Sequence, residues 1–273
     1  MTNLLEAESH FAFGENWQSF ARLLDDRRIL EAENGMRRLF PNGELEGVRF
    51  LDIGCGSGLS SLAAARLGAA EIEGVDIDAN SVAATQETLA RYAPACRRRV
   101  SVRSVFDFER EPAGQFDVVY SWGVLHHTGD MWRAIRIAAS LVKPRGYLAI
   151  AIYRLTPLCG FWTREKAFYT KAPKPVQAAI RGFYKFVLAA REWRHGRTLS
   201  AHIRDYHSSR GMDWSHDVHD WLGGYPYESA SAESIKSFLG GRGFDVIRVF
   251  AEPPGNGITG SGCDEFVAVR RAK

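Results

Sequence analysis

Between an apolar run and an alanine-rich helical stretch lies Leu51-Asp52-Ile53-Gly54-Cys55-Gly56-Ser57-Gly58, and three glycines in five positions leave few folds open. A plain strand-to-helix turn needs one glycine. Three let the backbone turn tightly and let a ligand lie against it with no Cβ in the way, while the following helix offers unpaired N–H groups. The segment predicts a strand ending in a ligand-binding loop.

The rest of the chain supplies the sheet around that loop. From residue 49 onward, β-rich runs at 49–53, 71–76, 100–105, 116–121 and 146–153 alternate with helical runs at 59–67, 80–91 and 132–142. This is the signature of a parallel sheet covered by helices on both faces. The alternation breaks after Tyr153 and resumes with a helix at 231–239 and strands at 245–250 and 265–270. Pro253-Pro254-Gly255-Asn256-Gly257 is too short a link for a helical crossover, so the last two strands should pair antiparallel. The expected fold class is α/β: a Rossmann-like, seven-stranded, mostly parallel sheet with helices on both faces, an antiparallel last strand and an inserted cap. Residues 1–48 read as an N-terminal helical lid and 49–153 as the cofactor-binding core; 154–228 read as an aromatic cap and 229–273 as the C-terminal part of the sheet. The cap leaves a strand's carboxyl end, where open α/β sheets bind ligands, and holds five of the eight histidines.

Charge selects the ligand. A dinucleotide would bring its pyrophosphate towards Asp52, two residues before the first glycine, and the two negative groups would repel. A ligand carrying an ammonium and a sulfonium is attracted instead, and S-adenosylmethionine carries both. Asp52 and the loop of Gly54, Cys55, Gly56 and Gly58 are thus expected to hold its amino-acid part. Asp76 closes the second strand 22 residues past Gly54, where a carboxylate can accept from both ribose hydroxyls. Asp78 reads as the N-cap of the next helix. Ile77 and Phe106 are expected to flank the adenine, Asp107 to accept from its amino group or to cap a turn, and Ser121 to complete the cofactor site at the end of the fourth strand. Trp17 reads either as a lid over the methionine part or as an anchor for the N-terminal helix.

The stretches Leu51 to Gly58, Gly74-Val75-Asp76-Ile77-Asp78 and Phe116-Asp117-Val118-Val119-Tyr120-Ser121-Trp122-Gly123-Val124-Leu125-His126-His127 resemble successive motifs of the class I S-adenosylmethionine-dependent methyltransferases. The likeness is greatest to the branch similar to ubiquinone-biosynthesis methylases, and it covers roughly residues 49–153. Phe13 to Phe20 and Asp220 to Glu228 also resemble a bacterial subgroup of uncharacterised small-molecule or glycan methyltransferases. That subgroup often continues the fifth strand with Asn-Asp-Gln-Gly, whereas here Tyr153 is followed by Arg154-Leu155-Thr156-Pro157. The resemblance implies methyl transfer to an oxygen or nitrogen of a small molecule, such as a secondary metabolite or glycan. The departure after Tyr153 motivates a second reading, a lyase or cyclase in which the cofactor attacks itself and releases methylthioadenosine. A third is a non-catalytic cofactor-binding protein.

Candidate chemistry lies at the mouth of the cleft. His126 is the candidate general base, with Tyr153 beside it, because an imidazole titrating near neutrality can take a proton from a hydroxyl or amine. His127 reads as a ring bonded to backbone. Trp122, His216, Trp221 and Tyr225 are candidates for the acceptor pocket. His207, Asp213, His216, Asp217, His219 and Asp220 complete no metal-ligand pattern, so no metal is expected. With 35 basic and 32 acidic residues the chain carries +3, too little to call for nucleic acid or a membrane over the whole surface. The fourth strand ends Ser-Trp-Gly-Val, unlike enzymes that methylate flipped-out bases. No run of about 20 apolar residues crosses a bilayer, the start lacks a signal peptide's pattern, and the four cysteines are scattered, so a cytoplasmic location is expected.

Overall fold

The computed structural model describes residues 17, 21, 23–194, 196, 198, 200, 203, 214–253, 255–258 and 260–272, without the side chains of 214–217. Seven strands form one sheet: β1 Arg49–Ile53, β2 Glu71–Asp76, β3 Arg97–Val102, β4 Phe116–Trp122, β5 Val142–Tyr153, β6 Phe244–Phe250 and β7 Cys263–Arg270. Their spatial order is β3-β2-β1-β4-β5-β7-β6, with every neighbouring pair from β3 to β5 parallel and β7 antiparallel to both β5 and β6. The chain moves outward from β1 to β3 and then returns to β4, so the sheet reverses direction beside β1, where such sheets open a crevice at their carboxyl ends.

Successive strand residues point to opposite faces, and each face has its own core. On one, Leu51, Val119, Leu148 and Ile150 pack with α4 (Met131–Leu141) and α8 (Ala232–Gly240). On the other, Phe50, Val118 and Ala149 pack with α1 (Asp26–Leu39), α2 (Leu59–Arg66) and α3 (Ala79–Tyr92). Helix starts follow side-chain caps. Asp25, Asp78, Asp130 and Ser231 each accept a backbone N–H from the first turn of the helix that follows. β3 begins at Arg97, three residues before the expected start, and Arg97, Arg98 and Arg99 form its exposed first half. An edge strand tolerates such charges because one of its sides meets water.

Between β5 and α8 the described helices are α5 (Cys159–Lys171), α6 (Lys174–Arg194) and α7 (Trp214–Gly223). They build a third core from Cys159, Trp162, Tyr169, Leu188, Val218, Leu222 and Tyr227. This core is fastened to the β6–β7 connection: the Trp162 indole donates to the Gly257 carbonyl at 2.7 Å and Tyr227 to the Ser261 hydroxyl at 3.0 Å. Arg154, 9% exposed, donates from Nε to the Asp264 carboxylate at 2.7 Å. Thr156 gives its backbone N–H to the Cys159 sulfur at 3.1 Å. Packing therefore accounts for Arg154 and Thr156, members of the stretch that departs from the related subgroup.

Removing one partner of a buried ion pair strands the other charge. Arg154→Met should lower stability to urea by about 3 to 5 kcal/mol, and adding Asp264→Leu should restore most of that loss. A double variant as unstable as the single one would show that the two charges do not act as a pair.

Candidate active site

The loop after β1 is drawn tight by its own backbone and clamped from behind. Gly54 N–H and Cys55 N–H both donate to the Val75 carbonyl, at 2.7 and 3.1 Å. Thr85 and Thr88, on α3, donate their hydroxyls to the carbonyls of Gly56 and Ser57 at 3.0 and 2.8 Å. Gly54, Gly56 and Gly58 all have positive φ. A Cβ on Gly58 would stand 2.8 Å from the Thr85 Cα, and one on Gly54 would stand 2.3 Å from Val124. These two glycines are demanded by both conformation and space. Above the loop, the Trp17 indole lies 3.4 Å from where a Gly56 Cβ would be. Cys55 is buried, and burial pushes its thiol well above the usual range.

Two carboxylates close the ends of β1 and β2. Asp52 is only 2% exposed and accepts from the Ser61 hydroxyl at 2.6 Å. Asp76, half-buried, accepts from Gly56 N–H at 3.1 Å and from Asp78 N–H at 3.0 Å. Burial raises the Asp52 carboxyl to about 7, with the Asp76 charge adding to the rise against the Ser61 hydrogen bond. Burial likewise raises Asp76 to about 6, opposed by the backbone N–H groups of Asp78 and Gly56. Neither forms an ion pair among the described residues. The loop is thus a negative site with open backbone, suited to a cation.

The remaining positions expected around a nucleoside separate. Ile77 is 40% exposed beside Asp76. Phe106 is half-buried, with the Arg133 guanidinium 4.8 Å over its ring. The Asp107 carboxylate accepts from Ser104 N–H at 2.9 Å in a capping box, the capping alternative raised for it. Ser121 corrects its expected role: it is 0% exposed, and its hydroxyl donates to the Ile53 carbonyl at 2.9 Å, tying β4 to β1. Its single O–H is used inside the sheet.

The acceptor side holds a second correction. His126 is 0% exposed, and its Nδ1 accepts the Tyr153 backbone N–H at 3.2 Å. With Nδ1 an acceptor, the neutral ring carries its proton on Nε2, which has no partner. Burial, reinforced by His127 and Lys166, drives its pKa well below the usual range. A sealed imidazole with its lone pair spent on backbone cannot serve as a general base. His127 has the opposite polarity. Its Nδ1 lies 2.7 Å from the Pro226 carbonyl, which can only accept, so Nδ1 bears the proton and Nε2 is the accepting nitrogen. The backbone partner expected for His127 is present, but it comes from the far end of the cap segment.

Tyr153 ends β5 and packs against the third core. Its ring lies 3.8 Å from that of His126 and 5.2 Å from those of His127, Trp221 and Tyr227. Trp221 therefore packs edge-on against Tyr153, with its indole nitrogen buried and unpartnered. Tyr225 precedes a cis bond to Pro226 and donates its N–H to the Gly223 carbonyl at 2.6 Å. Trp122 stacks on Tyr120 with centroids 5.4 Å apart and planes 2° from parallel, so the sheet core holds one of its faces. The His216 side chain lies outside the described residues. His219 meets the Tyr169 hydroxyl at 2.7 Å, and no group of three or more possible metal ligands occurs among the described residues.

One member of this wall was not singled out from the sequence. Lys166 is 0% exposed, donates to the Trp221 carbonyl, and sits 3.6 Å from the Trp221 ring centroid and 5.3 Å from that of Tyr227. Burial pulls its ammonium down, and burial pushes the neighbouring Glu165 carboxyl up, both oxygens of which are unpartnered. In the sequence it is one lysine among many in a basic, aromatic segment.

Sheet order, glycine loop and terminal carboxylates together define an α/β methyltransferase fold. A family model described as a methyltransferase domain matches residues 24–249, and the chain belongs to that family. It is 37% identical over 133 residues to a ubiquinone biosynthesis O-methyltransferase of Xanthomonas axonopodis pv. citri (strain 306), covering 48% of this chain and 54% of that protein. A protein of the same description from Rhodopseudomonas palustris (strain TIE-1) is 36% identical over 107 residues, 39% of this chain and 40% of the relative. The chain thus spans about half the length of the curated relatives it matches. Among solved structures, magnesium protoporphyrin IX methyltransferase from Synechocystis PCC 6803 with bound SAH superposes with a TM-score of 0.53 at 18% identity, covering 89% of this chain and 84% of the other. An S-adenosylmethionine dependent methyltransferase from Mesorhizobium loti gives 0.51 at 17% identity, covering 88% and 98%. At these identities the likeness is one of fold.

The raised carboxyls at Asp52 and Asp76 carry a signed consequence for the ligand-free protein. An acid whose folded pKa lies above its unfolded value of about 3.9 favours the fold while protonated and loses that contribution as pH rises through the folded pKa. Asp52→Asn should therefore be more stable than the parent at pH 8, by about 1 to 3 kcal/mol in urea titrations, with the difference vanishing near pH 4. Equal stability at both pH values would mean that Asp52 is not held unpaired.

Proposed function

We propose that the chain transfers a methyl group from S-adenosylmethionine to an oxygen or nitrogen of a small molecule. The observation that carries this reading is the pair of carboxylates, Asp52 buried and Asp76 half-buried, standing beside an open glycine loop with no ion-pair partner among the described residues. When bound, S-adenosylmethionine supplies a methyl group on a sulfonium, activated for in-line displacement. Gly54, Gly56 and Gly58 allow close approach of the amino-acid part, Asp52 contributes its field from beneath, and Asp76 accepts from the ribose hydroxyls. Ile77 and Phe106 provide apolar surface for the base, and Trp17 covers the loop and excludes water. The family membership and the S-adenosylhomocysteine bound in a structural neighbour support the choice of cofactor.

On the acceptor side, the chain has to align a nucleophile and remove its proton. We assign the base to His127, whose Nδ1–H is oriented by the Pro226 carbonyl so that Nε2 accepts. His126 and Tyr153 position it, since their closely packed, tilted rings form the surface against which the His127 ring packs edge-on. Trp221 and Tyr225 contribute to the acceptor wall. O-methyl transfer is the activity named for the curated relatives, which favours a hydroxyl acceptor here. All four cysteines are free, which suits a reducing, cytoplasmic setting.

Incubation with S-adenosylmethionine and pooled phenolic and amine acceptors should yield S-adenosylhomocysteine, read by mass spectrometry; methylthioadenosine formed without acceptor would overturn methyl transfer. Asp76→Asn should weaken S-adenosylmethionine about tenfold or more by calorimetry, since a hydrogen bond to a charged acceptor contributes about 1.5 to 3 kcal/mol. His127→Gln should cut turnover by about 10² to 10⁴ with cofactor affinity unchanged. Full turnover in His127→Gln would remove the assignment of the base.

A further inference from the structure

Charge is unevenly spread over the molecule. Residues 159–194, the hairpin of α5 and α6, hold eight lysines and arginines against two glutamates, a net +6. The chain as a whole is at +3, so everything outside the hairpin is together at −3. The small overall charge, from which no membrane partner was expected, averages over this asymmetry.

The same hairpin turns apolar side chains outward. On α6, Ile180, Tyr184 and Leu188 recur every four residues and pack into the third core. On the side away from them, Phe183, Phe186 and Trp193 are 70%, 69% and 79% exposed. Between Lys174 and Arg191 every exposed residue of α6 is Pro, Val, Ala, Gly or Phe. On α5, Phe161 and Phe168 add rings that are 56% and 61% exposed. Ordinary surface helices put their charges on the outer face; α6 keeps its basic residues at its ends and along one flank, at Lys174, Arg181, Lys185, Arg191 and Arg194, with Lys171 closing α5 beside them.

We propose that the α5–α6 hairpin docks on the surface of a bilayer containing anionic phospholipid. Phe183, Phe186 and Trp193 enter the boundary between headgroups and acyl chains, and the basic side chains at the ends of α6 meet lipid phosphates. No described helix is long and apolar enough to cross a membrane, so the helix lies in the interface plane. Charge excludes the simplest rival, a second copy of the chain: a two-fold contact through this face would set +6 against +6. Single-stranded nucleic acid fits less well, because the outer face between the basic ends offers no hydrogen-bonding side chain to follow a phosphate backbone. The proposal is independent of the cofactor reading, since none of these residues belongs to the loop or to the carboxylate pair.

The test is flotation of the full chain with vesicles of phosphatidylcholine alone or mixed with about one third phosphatidylglycerol. The protein should float with the mixed vesicles, and should do so at least tenfold less when sodium chloride is raised from about 0.05 to about 0.5 M, which shortens electrostatic reach. F183S/F186S/W193S, at exposed positions, should lose flotation at least tenfold while keeping its thermal midpoint and its affinity for S-adenosylmethionine by calorimetry. A double charge variant, K174E/R194E, should lose it comparably. Flotation of the parent equal on both vesicle types, or undiminished in the triple variant, would overturn the proposal. So would a mass by light scattering that falls from dimer to monomer in the triple variant, or retention of polyuridylate by a parent that ignores vesicles.

Discussion

Two carboxylates at the carboxyl ends of adjacent parallel strands, with no cation among the described residues to balance them, are the constraint around which this molecule is arranged. β1 and β2 run parallel and in register, Asp52 opposite Gly74, so both chains deliver their acidic residues to one end of the sheet. The tight loop from Gly54 to Gly58 spares both strands a bulky side chain at that place, and Thr85 and Thr88 hold it from α3. A plain fold would neutralise such a pair with lysine or arginine. Leaving it unbalanced stores unfavourable charge that a cationic ligand relieves, which is how a site comes to prefer its ligand over water.

The opposite wall follows a different economy. Around Tyr153, aromatic rings from β5, α7 and the segment before α8 replace charged groups, and the polar atoms there are few and individually oriented. Two adjacent histidines acquire contrary polarity because their partners differ: a backbone N–H for His126 and a backbone carbonyl for His127. Lys166 is sealed among Trp162, Trp221 and Tyr227, and its ammonium, pulled down by burial, adds to the field that keeps His126 neutral. A wall of this kind excludes water and leaves orientation to backbone groups.

Much of the fold was legible along the chain because parallel strands buried on both faces read as short apolar runs, and glycine punctuates their ends. The misses have physical causes. β3 reads as starting at Val100 because arginines oppose strand propensity, yet as an edge strand it holds them in register with β2 from Glu71↔Arg97 onward. Ser121 sits where motif reasoning expects a cofactor contact, but strand alternation and pairing send its hydroxyl to Ile53. Arg154 and Thr156, conspicuous as a departure from related sequences, turn out to be held by Asp264 and Cys159 beside the third core.

The sequence by itself determined the sheet, the glycine loop and the carboxylates at 52 and 76, because these depend on local backbone geometry and on residues close together in the chain. It also determined the charge and aromatic content of residues 159–194. Only the tertiary structure decided which backbone group each histidine ring meets, since that depends on Tyr153, 27 residues from His126, and Pro226, 99 residues from His127. It alone decided that Lys166 is buried while Phe183, Phe186 and Trp193 face outward. Helical periodicity marks two faces of α6, and which of them meets water is settled by what the rest of the chain packs against it.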